Sequence, residues 1–156
     1  MKPTILIISL GNPLRSDDAL GAQVIENLKE SLPLPFKKYI TMETAHQIDI
    51  AHSALIKEYQ YVIFVDVDAG LQNNITKVKK VESIPGVPAF SSHIGSIPTL
   101  LYLTEKIYGF CPECYLTAIN GHDFSLRDTL LIDSESNALE GTKTVLRLIE
   151  QLLPII

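Results

Sequence analysis

Four residues of this chain have the chemistry and the spacing to bind a metal ion or to move a proton. Asp17 and Asp18 follow the first apolar run, Asp66 ends another apolar run, and His93 lies in the segment Ser-Ser-His-Ile-Gly. Two carboxylates and one imidazole suit a borderline divalent cation such as zinc or nickel, with coordination positions left for water or a substrate. We therefore predict that Asp18, Asp66 and His93 form an open metal site.

Each of these residues also has a purely structural interpretation. Asp17 or Asp18 could cap the helix that follows or interact with its dipole, which contributes about 1 kcal/mol. Asp66 could be a buried carboxylate with a polar partner, and His93 could be a loop residue near a helix start. The metal site therefore requires that all three ligands meet in one place.

The pattern of apolar residues predicts strands that alternate with helices. Continuous apolar runs indicate strands covered on both faces, and apolar residues at helical spacing indicate amphipathic helices. The predicted strands cover residues 4–10, 39–42, 61–66, 75–82 and 115–120, and the fourth has the alternation of a half-exposed edge strand. The predicted helices cover residues 18–31, 48–59, 94–107 and 135–153. The second helix is expected to turn four residues inward: Ile50, Ala51, Ala54 and Leu55.

This order of elements predicts an α/β fold. We expect a single domain over residues 1–156, a three-layer doubly wound structure with a mostly parallel five-stranded sheet and helices on both faces. In such sheets, ligands bind beyond the carboxyl ends of the strands, where the strand order reverses. Asp18 follows the first predicted strand, Asp66 ends the third, and His93 precedes the third helix, so all three would reach that edge.

Composition restricts the class of protein. The chain has 156 residues, of which 46% are hydrophobic, and a net charge of -5, which argues against nucleic acid as a partner. No apolar run approaches the roughly 18 residues of a membrane span, and polar residues follow the first run where a secretion signal would have its cleavage site. We expect a soluble, cytoplasmic protein with no membrane partner that acts as a monomer.

The two cysteines form the segment Cys111-Pro112-Glu113-Cys114. This spacing occurs in redox dithiols and in half of a tetrahedral zinc site. The chain has no second pair of cysteines to complete a zinc site. The pair also precedes a predicted strand, whereas a thioredoxin-type motif opens a helix whose dipole lowers the thiol pKa. We predict a reduced pair in a turn.

In three places the sequence resembles the hydrogenase maturation proteases, the endopeptidases that trim a C-terminal extension from the large subunit of nickel-iron hydrogenases. Residues 10–21, LGNPLRSDDALG, resemble the family's opening G-x-G-N-x-L-x-x-D-[DE]-G-x-G. Residues 62–70, VIFVDVDAG, resemble its strand that ends in a metal ligand, and residues 91–101, SSHIGSIPTLL, resemble its S-x-H segment before a leucine-rich helix. By this resemblance, Asp18, Asp66 and His93 are the metal ligands and the catalytic residues.

The resemblance implies that the nickel is carried by the hydrogenase large-subunit precursor and is not stored by the protease. Other divalent ions can substitute for it. Cleavage would then follow nickel insertion, and nickel would polarise the scissile carbonyl or activate a water. Asp17 or Asp68 could act as a base or support a ligand, and Asp68 could also compete with Asp66 as ligand. The sequence departs from the family's opening motif at Ser9 and Ala19, which replace glycines.

Two alternatives belong to other functional classes. The chain could be a nucleotide- or flavin-binding module in which Gly11-Asn12-Pro13 shapes a phosphate loop, although this loop has only one glycine and is followed by two acids. It could also be a non-catalytic maturation chaperone that binds the same precursor without cutting it.

Overall fold

The computed structural model describes residues 4–12, 19–68, 71, 75–86, 93–121 and 132–154, and of residues 93–96 and 132–134 it describes the backbone. The strands are β1 (Ile5–Leu10), β2 (Ile40–Ala45), β3 (Tyr61–Asp68), β4 (Thr76–Val81) and β5 (Glu113–Asn120). The helices are α1 (Leu20–Ser31), α2 (Leu34–Lys37), α3 (His52–Ile56), α4 (His93–Tyr108) and α5 (Ile132–Leu152).

The five strands form one sheet in the order β2-β1-β3-β5-β4. Strands β2, β1, β3 and β5 are parallel, and β4 pairs antiparallel with β5 at one edge. Because β2 and β3 lie on opposite sides of β1, the strand order reverses at β1, which is where doubly wound sheets bind ligands. The predicted five-stranded, mostly parallel sheet and the edge position of its fourth strand are confirmed.

Helices cover both faces of the sheet, as predicted. One buried cluster joins apolar residues of α1 and α5 to one face, and a second joins residues of α3 and α4 to the other. β1 supplies residues to both clusters and is buried at every position, as a strand covered on both faces should be. In the part of the chain that the structure describes, no helix has the length and apolar character to cross a bilayer.

The second predicted helix is shorter than expected. The sequence pattern predicts a helix over residues 48–59, whereas α3 has five residues. The Oδ1 atom of Asp49 accepts the N–H of Ala51 at 2.8 Å, which holds the preceding residues in a turn and delays the helix. Ile56 is fully buried, and Leu55 is partly buried against the core. The predicted inward face is wrong for the three residues that are exposed: Ile50, Ala51 and Ala54.

β2 is longer than the strand predicted over residues 39–42. All six of its residues pair in register with β1, from Ile5 opposite Ile40 to Leu10 opposite Ala45. The strand lies at the edge of the sheet, so its composition is less apolar than that of β1 and its length is set by pairing. As a result, β2 extends as far as β1 toward the carboxyl ends of the parallel strands.

Candidate functional site

Asp66 is a buried carboxylate near the carboxyl end of β3. The residue is 4% exposed, and its Oδ1 atom accepts the N–H of Val67 at 2.8 Å. Residues two apart on a strand share a face, and Phe64 packs in the cluster beneath α3 and α4. Asp66 therefore lies on the α3–α4 face of the sheet, beside the point where the strand order reverses.

The start of α1 packs directly onto the ends of β1 and β3. A Cβ atom added at Gly21 would lie 3.1 Å from Cβ of Ser9 and 3.3 Å from the carbonyl oxygen of Val65. Glycine therefore lets the helix approach the residue that precedes Asp66. Gly11 has φ of 145°, a conformation that favours glycine, and it turns the chain out of β1. These two glycines bring the start of α1 to the edge that holds Asp66.

α4 runs along the length of the strands, from their carboxyl ends to their amino ends. It ends at Tyr108, shortly before β5 begins at Glu113, so its last turn lies at the amino ends of the parallel strands. Its 16 residues span about 22 Å, close to the roughly 23 Å of the eight-residue β3. The backbone of His93, the first residue of α4, therefore lies toward the carboxyl edge, four positions before the buried Ile97.

Of the three predicted ligands, the structure describes the side chain of Asp66. Asp17, Asp18 and the side chain of His93 lie outside the described residues. Asp18 is bonded to Ala19, the residue at the N-terminal end of α1, so it is connected to the helix start that packs beside β3. Among the side chains that the structure describes, no three Asp, Glu, His or Cys residues form a group that could hold a metal ion. The ligand set stays a prediction.

Solved structures of hydrogenase maturation proteases share this arrangement of strands and helices. The hydrogenase maturating endopeptidase HybD from E. coli matches with a TM-score of 0.75 and 18% identity, over 95% of this chain and 93% of its own. The [NiFe] hydrogenase maturation protease HycI from Thermococcus kodakarensis KOD1 matches with a TM-score of 0.66 and 20% identity, over 98% and 94%. The hydrogenase 2 maturation peptidase from Thaumarchaeota archaeon SCGC_AB-539-E09 matches with a TM-score of 0.63 and 20% identity, over 94% and 97%. This chain has the hydrogenase maturation protease fold. No protein-family model and no curated protein matches its sequence.

In this hydrogenase maturation protease fold, Asn120 is a polar residue at the site edge that sequence reasoning missed. It ends β5 and pairs with Asp68, and both continue the face that carries Asp66. Among the residues that the structure describes, its buried Oδ1 atom has no hydrogen-bond partner. A buried acceptor left in that state costs about 1–3 kcal/mol, so Asn120 is a candidate to accept an N–H from a substrate. The signal in the sequence is the same as for Asp66, a polar residue that ends an apolar strand.

The cysteines lie at the opposite edge of the sheet, where β5 begins. Both are free, as predicted, although Cys114 lies in a strand and not in a turn. Burial, followed by the charges of Glu105 and Glu82, raises the pKa of Cys111 to about 11, and burial also raises the pKa of Cys114. Redox and zinc chemistry need the thiolate, which these raised pKa values oppose. The pair is therefore separate from the candidate site.

Proposed function

We propose that this protein is an endopeptidase that removes the C-terminal extension from the large-subunit precursor of a nickel-iron hydrogenase after nickel insertion. The proposal rests on one observation above all: Asp66 is a buried carboxylate at the reversal of strand order in the hydrogenase maturation protease fold. A carboxylate is costly to bury unless a partner or a bound ligand compensates for its desolvation. We propose that the enzyme acts as a monomer in the cytoplasm, on a protein substrate.

Asp18, Asp66 and His93 are proposed to bind the nickel ion that the precursor already carries. Two carboxylates and one imidazole leave coordination positions for the precursor's own ligands. Because three such donors alone bind a free ion with modest affinity, the protease would bind free nickel weakly and would bind it tightly only in the context of the loaded precursor. Cleavage would thereby be coupled to nickel insertion, and other divalent ions would substitute in vitro.

The reaction proposed at this site is hydrolysis of one peptide bond. Nickel in the substrate, held by Asp18, Asp66 and His93, would polarise the scissile carbonyl or a bound water. Asp17 or Asp68 would take the proton of the attacking water and pass it to the leaving amine. Asp68 follows Asp66 by two residues on the same strand, so it lies on the same face of the sheet. The products are the new C-terminal carboxylate of the large subunit and the amine of the released extension.

The test compares two forms of one substrate. Purified hydrogenase large-subunit precursor, loaded with nickel or free of it, is incubated with this protein, and mass spectrometry measures the released extension. We expect release from the loaded form alone, and none with Asp66→Asn. Binding of the precursor without any released peptide would support the chaperone alternative instead. Equal cleavage of both forms would support the proposed protease activity and contradict the proposed recognition of nickel.

A further inference from the structure

A cleft opens beside the candidate site at the carboxyl ends of β1 and β2. Its volume is about 440 Å³, within the range of pockets that hold ligands. The end of β1 forms its floor, the end of β2 forms one wall, and the first two turns of α1 form the other. Four of its lining residues have little or no side chain: Gly11, Ala19, Ala22 and Ala45.

The cleft and Asp66 both lie at the carboxyl ends of the parallel strands, but on different faces of the sheet: Ser9 and Val65 face α1, whereas Asp66 lies on the α3–α4 face. Ser9 lines the cleft and pairs with Val65, the residue that precedes Asp66. Ala19 also lines it and is the direct neighbour of Asp18 in the chain. An extended substrate bound at the candidate site would therefore reach this cleft by passing over the carboxyl end of β1.

Within the described part of the chain, β2 is paired with another strand on one side only. Gly11 donates its N–H to the carbonyl of Ala45 at 3.1 Å, and Ile5 donates to the carbonyl of Tyr39 at 2.9 Å. Backbone groups of successive residues in a strand point to opposite sides, so the N–H and C=O of Thr44 point away from β1. No described strand pairs with β2 on that side. An extended peptide could add there as a further strand.

We propose that this cleft and the free edge of β2 bind an extended stretch of the precursor's C-terminal extension, and that the small residues of the cleft limit the side chain it accepts. The inference rests on the proposed function. A strand added outside β2 would lie three strand spacings from β3, about 14 Å, which an extended chain covers in about four residues. The extension is the part of the precursor that suits this place, because a single added strand needs a chain segment with no neighbours of its own.

Filling the cleft tests the size limit. Ala22 is half-buried on α1, so Ala22→Leu keeps a good helix former and places a larger side chain in the cleft. We expect KM for nickel-loaded precursor to rise about tenfold or more, with a smaller change in kcat, because ground-state binding is lost. Ala54→Leu, on the exposed side of α3, is the matched control and should leave KM unchanged.

A substrate change tests the same limit from the other side. Precursors with glycine at the third, fourth or fifth residue after the cleaved bond should recover their affinity for Ala22→Leu at one of these positions. Tryptophan at that position should raise KM for the wild-type protein by a similar factor, about tenfold. A position that responds in both experiments identifies the residue in the cleft.

The backbone edge is tested at Thr44. Thr44→Pro removes an N–H that points away from β1, so the pairing of β1 with β2 is retained. We expect weaker binding of a labelled synthetic peptide of the extension, measured by fluorescence anisotropy, by about tenfold. Thr44→Val keeps the N–H and the shape of the side chain, and it should bind the peptide as the wild type does. Thermal unfolding of each variant checks that it is folded.

The outcomes separate the two proposals. If the wild-type protein releases no extension from loaded precursor, the proposed function fails and the role of the cleft fails with it. If the wild-type protein cleaves, but Ala22→Leu and Thr44→Pro have the KM and the peptide affinity of their controls, the cleft does not bind the extension and the proposed function stands.

Discussion

Replacing Asp66 by asparagine distinguishes a catalytic role of its carboxylate from a structural role. The substitution removes the charge and retains the shape of the side chain. The Oδ1 atom of the new side chain can still accept the N–H of Val67, which is 2.8 Å away in the structure. We expect Asp66→Asn to fold normally and to lose processing of the hydrogenase precursor.

The expected size of both effects follows from the surroundings of Asp66. The hydrogen bond to Val67 is retained, so the free energy of unfolding should fall by about 1–3 kcal/mol at most, the range of one hydrogen bond to a charged group. The charge itself lies in a residue that is 4% exposed. In the complex, this charge would face the nickel of the substrate, and removing one partner of a charge pair buried between two molecules costs about 2–5 kcal/mol of binding. At 1.36 kcal/mol for each factor of ten, kcat/KM should fall by roughly 30-fold to 5000-fold.

The assay measures the extension released from nickel-loaded precursor by mass spectrometry, with urea unfolding of each variant in parallel. Glu150→Gln removes an exposed carboxylate from the last turn of α5 and serves as the control. Asp68→Asn tests whether the neighbouring acid is also required: processing should be lost if Asp68 is a ligand or the base, and should be unchanged if it is neither. Processing by Asp66→Asn within about threefold of wild type would refute the role of this carboxylate. A large loss of stability would instead assign Asp66 to the core.

The remaining predictions concern the helix start, the thiols and the ligand class. Gly21→Ala should lower kcat/KM about tenfold or more, because the added Cβ, 3.3 Å from the oxygen of Val65, displaces α1. The Tm should change little, because alanine favours the helix by about 1 kcal/mol over glycine and offsets this strain. Gly141→Ala, whose Cβ would lie 2.7 Å from Cδ1 of Ile119, should lower Tm and leave kcat/KM unchanged. The pKa of Cys111 rises from 9.0 to about 11, so iodoacetamide should alkylate it at pH 8 about 100-fold more slowly in the native than in the unfolded protein. The unfolded chain also releases this proton first, so stability in urea should decrease as pH rises from about 9 to 11. Nickel or cadmium should raise the thermal unfolding midpoint, and ATP or FMN should not; the reverse result would support the nucleotide- or flavin-binding alternative.

The layers of the fold were predictable from the sequence because strands covered on both faces are apolar at nearly every position. β1 is buried at all six positions, and its apolar run identifies it directly. The inward face of α3 was not predictable from periodicity, because a helix of five residues makes little more than one turn. The turn at Asp49 lies inside the 12 residues of the predicted helix, and α3 begins only after this turn.

A residue of the candidate site could be predicted from the sequence only where the local pattern shows its position in a strand or helix. Asp66 does so because it interrupts an apolar strand near its end. The cleft could not be predicted in this way, because it exists only when the end of β2 lies beside the end of β1. Whether β2 lies beside β1 depends on the order of strands in the sheet. The spacing of apolar residues along the chain does not specify this order.

The antiparallel strand β4 explains why a long connection precedes His93. Val81 pairs with Cys114, so β4 ends at the amino edge of the sheet. α4 must also end at that edge to feed β5, and it therefore begins at the opposite one. The 11 residues between Val81 and His93 can reach at most about 40 Å, enough for the roughly 23 Å along the sheet. The N–H of Ile84 donates to the carbonyl of Pro98 at 3.1 Å, so this connection starts along the side of α4. The reversal of one edge strand thus requires the connection that returns the chain to the edge where Asp66 lies.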